Sequence, residues 1–529
     1  MSTFERRSGA PEALPSLAAF SERFDNGTAQ VVYTRLVADL ETPVSAYLKL
    51  AGKPGTIGFL LESVEGGAQR GRYSIIGLEP DLIWRAHGDA AEINRTAQTD
   101  IETFTPEDKP TLEALRSLLA ESSISLPDEL PPMAAGVFGY MGYDTVRLIE
   151  RLPDEPQDDL GVPDALFVRP TIMVIFDNVR DEMTLVTPVR PEGRDNAAAA
   201  YKAACSRLEK VVSALEAPLA HETASIEREL AAPDPVSNTS SAEYLDMVAR
   251  AKEYIVAGDI FQVVLSQRFS APFDLPSFAL YRVLRRLNPS PFLFHLDFGD
   301  FSLVGSSPEI LVRVRDGEVT IRPIAGTRRR GETSTEDAHL EADLLADPKE
   351  RAEHLMLLDL GRNDVGRVAE VGTVNVTAQF VIERYSHVMH IVSNVVGRLD
   401  SKTHDAVDAL MAGFPAGTVS GAPKVRAMEI IDELEKSKRG PYAGCVGYFS
   451  ADGNMDTCIV LRTALVKDGM LHVQAGAGIV HDSVPESEQQ ECVNKAKAIV
   501  RAAEVAVRFA SGTARSAPEA SSSNGGLFG

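Results

Sequence analysis

Two pairs of glutamates, each with its members three positions apart, are the residues best suited to chemistry in this chain. Glu350 and Glu353 lie in "DPKERAEHLMLLDLGRND", and Glu488 and Glu491 lie in "PESEQQECVNKAKAIVRAAEVA". Both stretches carry apolar residues at helical spacing, and residues three apart share one face of a helix. If the two helices face each other, four carboxylates form a site for a hard divalent cation such as Mg²⁺. For either pair alone, the alternative is a solvated acidic face near a helix N-terminus.

Other segments have the features of an anion site. Gly476 and Gly478 of "QAGAGIV" let backbone N–H groups approach a ligand, although a lone Gly-x-Gly also marks a strand bend. Arg462 interrupts the apolar run "IVLRTALV" and needs a partner, either a substrate carboxylate or an internal salt bridge. Lys495 lies four residues after Glu491, on the same helix face. Local donors of this kind have to hold any anionic substrate, because the chain carries a formal net charge of -23.

Composition bounds the class of protein. The 44% hydrophobic and 24% charged residues are typical of a soluble globular protein, and the 529 residues predict several domains or one large one. The net negative charge disfavours nonspecific binding to nucleic acid or anionic membranes. No apolar run could span a bilayer, and no signal peptide is recognised. The four cysteines lack metal-ligand spacing, which disfavours zinc and predicts reduced thiols in a cytoplasmic protein.

The order of the segments predicts the organisation of the chain. Short β-rich runs separated by Gly, Pro and Asp indicate antiparallel sheet in the first part, and strands alternate with helices in the second. A Pro- and Ser-rich stretch between the two parts is typical of a linker. The predicted divisions are a polar arm over 1–25, an N-terminal domain over 26–228, a linker over 229–241, a second domain over 242–509 and a disordered tail over 510–529.

A set of motifs, in this order along the chain, resembles the chorismate-binding enzyme family and most closely its anthranilate-forming members. The motifs are "SSPEILVRV", "RPIAGTRRRG", "KERAEHLMLLDLGRNDVGRV", "YSHVMHIVS", "FPAGTVSGAPK", "YAGCVGYF", "IVLRTAL", "QAGAGIV" and "PESEQQECVNKA". They cover residues 240–505, while "LLES" and "RYSIIG" resemble the family's N-terminal domain. The resemblance implies the α+β class: a large two-layer α/β fold with extensive antiparallel sheets. The N-terminal regulatory domain is expected to pack on the chorismate-binding catalytic domain, with the active site in a cleft of the latter.

The resemblance also implies a reaction and roles for residues. Ammonia adds to C2 of chorismate, the 4-hydroxyl leaves, and elimination of pyruvate gives anthranilate, the first step of tryptophan biosynthesis. Glu353 and Glu491 are expected to bind Mg²⁺ directly, and Glu350 and Glu488 directly or through water. Substrate binding is expected at Gly326, Thr327, Tyr442, Arg462, Gly476, Ala477, Gly478 and Lys495. Within this set, Tyr442 and Arg462 are assigned to the enolpyruvyl carboxylate.

Acid–base chemistry is assigned to three residues by the same resemblance. Glu309 of "SSPE" is expected to protonate the departing hydroxyl, with His390 and Thr418 beside it. Judged from the sequence pattern alone, His390 is more typical of a hydrogen-bonded core histidine than of a catalyst.

Two positions separate this chain from relatives that run other reactions. Isochorismate and salicylate synthases carry a water-activating lysine where this chain has Gln262. Aminodeoxychorismate synthases carry a nucleophilic lysine where this chain has Ala325. Ammonia is therefore the expected nucleophile. No cysteine has the setting of a glutaminase nucleophile, so a glutamine amidotransferase subunit (component II) is expected as partner, in a heterotetramer of two large and two small subunits.

Feedback inhibition by L-tryptophan at a second site is the last expectation from the resemblance. The residues expected at that site are Glu62, Ser63, Pro291, Phe292, Leu293, Tyr448 and Cys458. Glu62 and Ser63 are expected to meet the polar end of tryptophan. The alternatives are component I of aminodeoxychorismate synthase, or a non-catalytic tryptophan-binding regulatory subunit. Intact Glu309 and Glu491 argue against the second.

Overall fold

The structure is a computed structural model that describes residues 12–52, 55–65, 69–191, 196–219, 233–385 and 388–510. Its α-helices in this part of the chain are α1 (Leu17–Asp25), α2 (Pro43–Ala51), α3 (Thr111–Glu121), α4 (Ala197–Glu216), α5 (Ser241–Ala257), α6 (Ser277–Leu287), α7 (Ser334–Ala346), α8 (Pro348–Gly366), α9 (Ala406–Gly413), α10 (Lys424–Leu434) and α11 (Pro485–Ala510). Short 3₁₀ helices are Pro132–Ala134, Tyr143–Leu148 and Gly417–Val419.

The strands supply most of the framework. In the first part they are β1 (Gln30–Val37), β2 (Gly58–Glu65), β3 (Gln69–His87), β4 (Ala90–Asn94), β5 (Thr105–Pro106), β6 (Gly136–Met141), β7 (Ala165–Asp177), β8 (Glu182–Val189) and β9 (Val236–Ser237). In the second part they are β10 (Gln262–Pro272), β11 (Phe292–Asp297), β12 (Phe301–Ser307), β13 (Ile310–Arg315), β14 (Glu318–Ile321), β15 (Ile324–Arg329), β16 (Asn375–Arg384), β17 (Val388–Arg398), β18 (Gly421–Ala422), β19 (Cys445–Ser450), β20 (Met455–Ile459), β21 (Thr463–Lys467) and β22 (Met470–Ile479).

The described strands pair in antiparallel fashion and form two sheets that share the long strands β3 and β7. The first sheet has the order β1-β8-β7-β3-β2-β11-β12-β21-β22-β10, with β9 and β18 also on β10. The second has the order β5-β4-β3-β7-β6-β19-β20-β13-β14-β17, with β15 and β16 on β17. Strands from both halves of the sequence therefore lie in each sheet.

Alternation of side chains along the strands divides the core into three layers of contacts. On β3, Ile75 packs between the two sheets, with Phe138 and Phe294. Ile76 points to the opposite face, where helices cover it. Helices α1, α2, α4, α6 and α11 cover the outer face of the first sheet, and α3, α8 and α9 cover that of the second. Both faces of the central strands are apolar, so both must be covered to remove them from water.

The predicted α+β class with extensive antiparallel sheets is confirmed by this architecture. The expected two layers extend to four, in the order helices, sheet, sheet, helices. Because β2 pairs with β11 and β6 pairs with β19, hydrogen-bonded ladders cross the predicted domain boundary. The domain limits stay a prediction.

The N-terminal segment and the predicted linker both contain regular structure. Within the predicted polar arm, residues 1–11 lie outside the described residues, and residues 17–25 form α1, whose Phe20 and Phe24 lie one turn apart and are buried. Residues 229–232 of the predicted linker, and 511–529 of the predicted tail, lie outside the described residues. Ser240 caps the start of α5 and forms a capping box with Glu243. No described helix is long and apolar enough to cross a membrane.

Candidate active site

Two adjacent connections between the sheets place Glu309 and Arg462. Glu309 lies between β12 of the first sheet and β13 of the second, and Arg462 lies between β20 of the second and β21 of the first. The connections run side by side, because the Ile459 N–H donates to the Glu309 carbonyl at 3.0 Å and the Ser306 N–H donates to the Arg462 carbonyl at 3.2 Å. An acid and a cation that are far apart in sequence therefore share one corner of the fold.

The Glu309 carboxyl group is buried and held in its protonated form. Only 6% of the residue is exposed, and the Thr418 hydroxyl, on the 3₁₀ helix Gly417–Val419, donates to Oε1 at 3.3 Å. Burial raises the pKa of Glu309 to about 8, although the hydrogen bonds from Thr418 and from the Ile324 N–H oppose the rise. At neutral pH this side chain can donate a proton, as a general acid must.

His390 lies on β17 opposite Thr327 of β15 and is neutral. Its Nδ1 is 3.1 Å from the carbonyl oxygen of Gly326 and 3.0 Å from the Thr327 hydroxyl. A carbonyl can only accept, so Nδ1 carries the proton and Nε2 remains an acceptor. Burial lowers the pKa of His390 to about 4, and the positive charge of Arg462 also lowers it. Of the predicted acid–base residues, Glu309 and Thr418 touch each other, and His390 contacts Gly326 and Thr327 instead.

Arg462 has no internal partner in the described part of the chain. No carboxylate there lies within ion-pair distance of its guanidinium, and burial lowers its pKa. Its backbone also has φ of +48°, a left-handed conformation that is uncommon for a non-glycine residue. Of the two alternatives open from the sequence, the internal salt bridge is not formed. The substrate carboxylate stays the predicted partner.

The glycines of β22 allow close approach of neighbouring side chains. A Cβ atom at Gly476 would lie 2.8 Å from the hydroxyl of Tyr442, and one at Gly478 would lie 2.6 Å from Nε2 of Gln262. Both glycines pair in register with β10, so they do not mark a bend. Ala477, between them, points its methyl group into the core on the opposite face. Lys495 of α11 donates to the Gly476 carbonyl at 2.9 Å and so lies at the same strand.

The four predicted metal ligands lie near the starts of α8 and α11. Glu350 accepts from Arg328 at 2.9 Å, beside Gly326, where a Cβ atom would lie 3.2 Å from its Oε2. Glu491 pairs with Lys495 at 2.6 Å. Burial raises the pKa of Glu353, and the charges of Glu350 and Glu491 raise it further. The carboxylates of the two helices therefore lie within electrostatic range of one another.

The donor set fits a hard cation, although the side chains are not gathered around one point. No group of three or more described carboxylates, imidazoles or thiols is close enough to hold a metal ion. Glu353 is half-buried and meets an amide, Gln262 Nε2 at 3.5 Å, and no described cation pairs with it. Burial raises the pKa of Glu488, and the nearby Glu491 adds to that rise. A divalent cation would offset this repulsion, so the Mg²⁺ assignment stays a prediction that the residues accommodate.

Sequence reasoning missed three contributors to this site. Arg328 holds Glu350, and the ring of Tyr385 lies 5.5 Å from that of His390. Arg439 forms a buried ion pair with Glu435 beneath the predicted substrate-binding residues. The spacing of four between Glu435 and Arg439 on the chain was the available signal, but exposed helix pairs have the same spacing.

A cavity of about 840 Å³ lies between the two sheets and extends to Pro308, Ile324 and Tyr385 beside these residues. It is lined by all seven predicted inhibitor-site residues: Glu62, Ser63, Pro291, Phe292, Leu293, Tyr448 and Cys458. One assignment changes in detail. The buried Glu62 carboxylate accepts from Tyr281 at 2.5 Å and from Arg285 at 2.8 Å, so it is already satisfied. Ser63, whose hydroxyl makes a long 3.3 Å bond to the Tyr73 carbonyl, is better placed to meet a ligand.

Comparison with known proteins gives a consistent result. Residues 68–501 match the model of a family described as chorismate binding enzyme. The chain is 57% identical to anthranilate synthase component 1 of Cereibacter sphaeroides over 94% of this chain and 99% of that one. It is 48% identical to the Pseudomonas putida protein of the same name, over 90% and 97% of the two chains.

Solved structures agree with these sequence relatives. Anthranilate synthase component I from Streptococcus pneumoniae superposes with a TM-score of 0.72 at 38% identity, covering 88% of this chain and 99% of that one. The menaquinone-specific isochorismate synthase of Escherichia coli superposes with a TM-score of 0.65 over 92% of this chain and 100% of that one. At 19% identity, the second bears on the fold alone.

Proposed function

This chain belongs to the chorismate-binding enzyme family, and we propose that it converts chorismate and ammonia to anthranilate, pyruvate and water. The observation that carries the proposal is the position of Glu309, buried and with a raised pKa, and of Arg462 on two hydrogen-bonded connections at one corner of the fold. The first can protonate a departing hydroxyl, and the second can receive a substrate carboxylate bidentately. The names of the relatives support the same reaction.

The substrate presents two carboxylates, a 4-hydroxyl group and an enolpyruvyl ether. Arg462 and Tyr442 receive the enolpyruvyl carboxylate in this proposal. The backbone at Gly476 and Gly478, with Lys495, orients the ring carboxylate. Glu353 and Glu491 would hold Mg²⁺ directly, and Glu350 and Glu488 would hold it directly or through water. The bound ion would supply positive charge for that carboxylate.

Glu309 donates its proton to the 4-hydroxyl as the C4–O bond breaks, so that water leaves while ammonia forms the new bond at C2. The added nitrogen then loses a proton. Loss of the C2 proton and cleavage of the ether release pyruvate and leave the aromatic ring of anthranilate. His390, neutral with Nε2 as acceptor, is available for a proton transfer beside the ring.

Two side chains support ammonia as the nucleophile. Gln262 lies beside Glu353, and its carboxamide cannot act as a base for water. Ala325 is buried on β15 and offers no nucleophile. The thiols are not suited to glutamine hydrolysis either, because burial raises the pKa of Cys205, Cys445, Cys458 and Cys492. We therefore place glutaminase activity on a separate amidotransferase subunit, in an assembly of two large and two small subunits.

The test of this function is the nitrogen source that the purified chain accepts. With chorismate, Mg²⁺ and ammonium at alkaline pH, where free ammonia is abundant, we expect anthranilate, followed by its fluorescence. With glutamine instead of ammonium, we expect none. Glutamine-dependent synthesis by the pure chain would contradict the assignment of glutaminase activity to a partner.

A hydrogen-bond deletion is expected to shift the pH dependence of turnover. Thr418→Val removes the donor that lowers the Glu309 pKa, so the pKa rises and the acid stays protonated to higher pH. On the basic side of the pH profile, kcat corrected for free ammonia should fall near pH 8 in the parent. In Thr418→Val this basic limb should lie at higher pH. One hydrogen bond corresponds to a shift of about 0.5–1 pH unit. Thr418→Ser keeps the hydroxyl and should leave the limb in place; an unmoved limb in Thr418→Val would separate Thr418 from the acid.

We also propose that L-tryptophan inhibits the enzyme by binding in the cavity between the sheets. The cavity has room for an indole, and Pro291, Phe292 and Leu293 provide an apolar wall. With Glu62 held by Tyr281 and Arg285, the polar end of the ligand is assigned to Ser63 and to the backbone around it. Inhibition requires that tryptophan bind the inactive state more tightly, with a typical coupling of about 1–3 kcal/mol.

Filling this cavity is expected to abolish inhibition. In Ser63→Phe the added ring occupies the space assigned to indole, while the active-site residues are untouched, so uninhibited turnover should stay near that of the parent. Anthranilate formation is measured against tryptophan concentration in the parent, in Ser63→Phe and in Ser63→Ala, which leaves the cavity open. Equal tryptophan sensitivity of Ser63→Phe and the parent would place the regulatory site elsewhere.

A further inference from the structure

A buried ion pair, Arg439 with Glu435, lies where the elements of the site converge. Arg439 is 2% exposed and Glu435 is 7% exposed. The contact is bidentate: Nε donates to Oε2 at 2.9 Å and Nη2 donates to Oε1 at 2.6 Å. Such a pair contributes little to stability relative to packed apolar residues, because desolvation of both charges offsets their attraction. Its geometry therefore needs another explanation.

The remaining donors of Arg439 hold two separate elements. Nη1 donates to the carbonyl of Val419 at 2.7 Å, in the same 3₁₀ helix as Thr418. Nη2 donates to the carbonyl of Val264 on β10 at 2.6 Å. Through these bonds one guanidinium group links the turn that contacts Glu309 to the strand that pairs with Gly478.

Glu435 and two aromatic rings extend the same cluster. Glu435 Oε1 accepts from the N–H and the hydroxyl of Ser266 at 2.7 and 2.9 Å, and Ser266 is the register partner of Gly476. The Arg439 guanidinium carbon lies 5.6 Å from the ring centre of Tyr442 and 4.7 Å from that of Tyr143. The pair thus contacts the supports of both proposed carboxylate sites.

We propose that Arg439 and Glu435 are positioning residues that fix the Thr418 turn, strand β10 and Tyr442 in the geometry that turnover requires. The inference rests on the proposed function, since it assigns those three elements to catalysis and substrate binding. The planar guanidinium is needed because its fixed donors reach four acceptor atoms in three directions, which a lysine ammonium cannot do.

The test compares Arg439→Lys with the parent in ammonium-dependent turnover. The lysine keeps the charge but loses the bond to Val419 or the bond to Val264. A small misplacement of catalytic groups lowers rates by about 10–100-fold, and we expect a fall in kcat of that size. The basic limb of the pH profile should also move upward, as in Thr418→Val, because the Thr418 turn is released. A purely structural role would lower stability and leave that limb unmoved.

Two further variants separate position from stability. The double variant Arg439→Met with Glu435→Leu removes the pair without leaving an unpaired charge, but Ser266 and the carbonyls of Val264 and Val419 lose these partners. Its Tm should therefore fall less than that of Glu435→Leu alone, while kcat remains low. Arg169→Lys is the matched control, because Arg169 is also buried and bidentate, with Asp81 at 2.8 and 3.1 Å, but lies away from the site. It should keep the parent's kcat and pH limb.

The outcomes are distinct. The positioning role would be overturned if Arg439→Lys kept both the kcat and the basic limb of the parent. It would also be overturned if the double variant kept the parent's kcat. Failure of both variants to fold would also overturn it, since the pair would then serve the fold as a whole. Absence of anthranilate from the parent itself would contradict the proposed function instead.

Discussion

Replacing Glu309 by glutamine is expected to lower kcat by about 10²–10⁴-fold, the usual contribution of a general acid. The amide is close to the carboxyl group in shape and can still accept from Thr418, but it has no proton to give to the departing hydroxyl. Because the buried Glu309 side chain is already neutral at pH 7, its replacement by a neutral amide should leave the fold intact. Single-turnover anthranilate formation and thermal unfolding measure the two quantities.

The control for this variant is Glu318→Gln, an exposed glutamate on β14, which should change neither rate nor Tm. If Glu309→Gln folds, binds chorismate and keeps more than about a tenth of the parent's kcat, a general-acid role of this size is contradicted.

Replacing Glu491 by alanine is expected to cripple turnover without unfolding the chain. Its pair with the half-exposed Lys495 contributes only about 0–1 kcal/mol to stability. Supporting residues of metal sites cost about 10–100-fold when removed, so loss of a direct ligand should lower activity at low Mg²⁺ by at least that factor. A second readout does not depend on turnover. Mg²⁺ at about 100 times its Kd should stabilise the parent by about 2.7 kcal/mol and should stabilise Glu491→Ala much less.

Glu486→Ala is the matched control, since Glu486 is an exposed glutamate in the first turn of the same helix. It should keep both the activity and the Mg²⁺ stabilisation of the parent. Equal Mg²⁺ stabilisation of the parent and Glu491→Ala would refute the metal assignment.

The sequence could predict much of the site because its residues have distinctive chemistry. Glu309, Thr418 and Arg462 stand in motifs whose order matches a known family, and the structure brings all three to the same part of the fold. The seven residues expected at an inhibitor site likewise line one cavity. Motifs identify side chains well when the chemistry restricts residue type at each position.

The sequence could not predict which groups are already satisfied. Glu62 was expected to meet a ligand, but its carboxylate is held by Arg285 and Tyr281, more than two hundred positions away on α6. Arg439 was overlooked for the same reason, because its partners Val264 and Val419 offer backbone carbonyls that carry no sequence signal. Long-range hydrogen bonds depend on which strands pair. The periodicity of a sequence predicts where strands lie but not which strands pair.

The layering of the fold was also beyond the sequence pattern. Consecutive residues of β2 (Phe59, Leu60) and of β3 (Ile75, Ile76) are apolar, and this pattern does not say what covers each face of the strand. The structure uses both faces, with Phe59 between the sheets and Leu60 under the helices. The local pattern of apolar residues predicts which side chains are buried, but not how many layers of sheet and helix bury them.

The central claim, that this chain adds ammonia to chorismate, is tested most directly by isotopic labelling. The purified chain is incubated with chorismate, Mg²⁺ and ¹⁵N-labelled ammonium at alkaline pH, and the products are identified by mass spectrometry. The account predicts anthranilate that carries the label, with pyruvate in equal amount. Isochorismate, an unaromatised amino adduct that retains its enolpyruvyl group as the final product, or unchanged chorismate would contradict it.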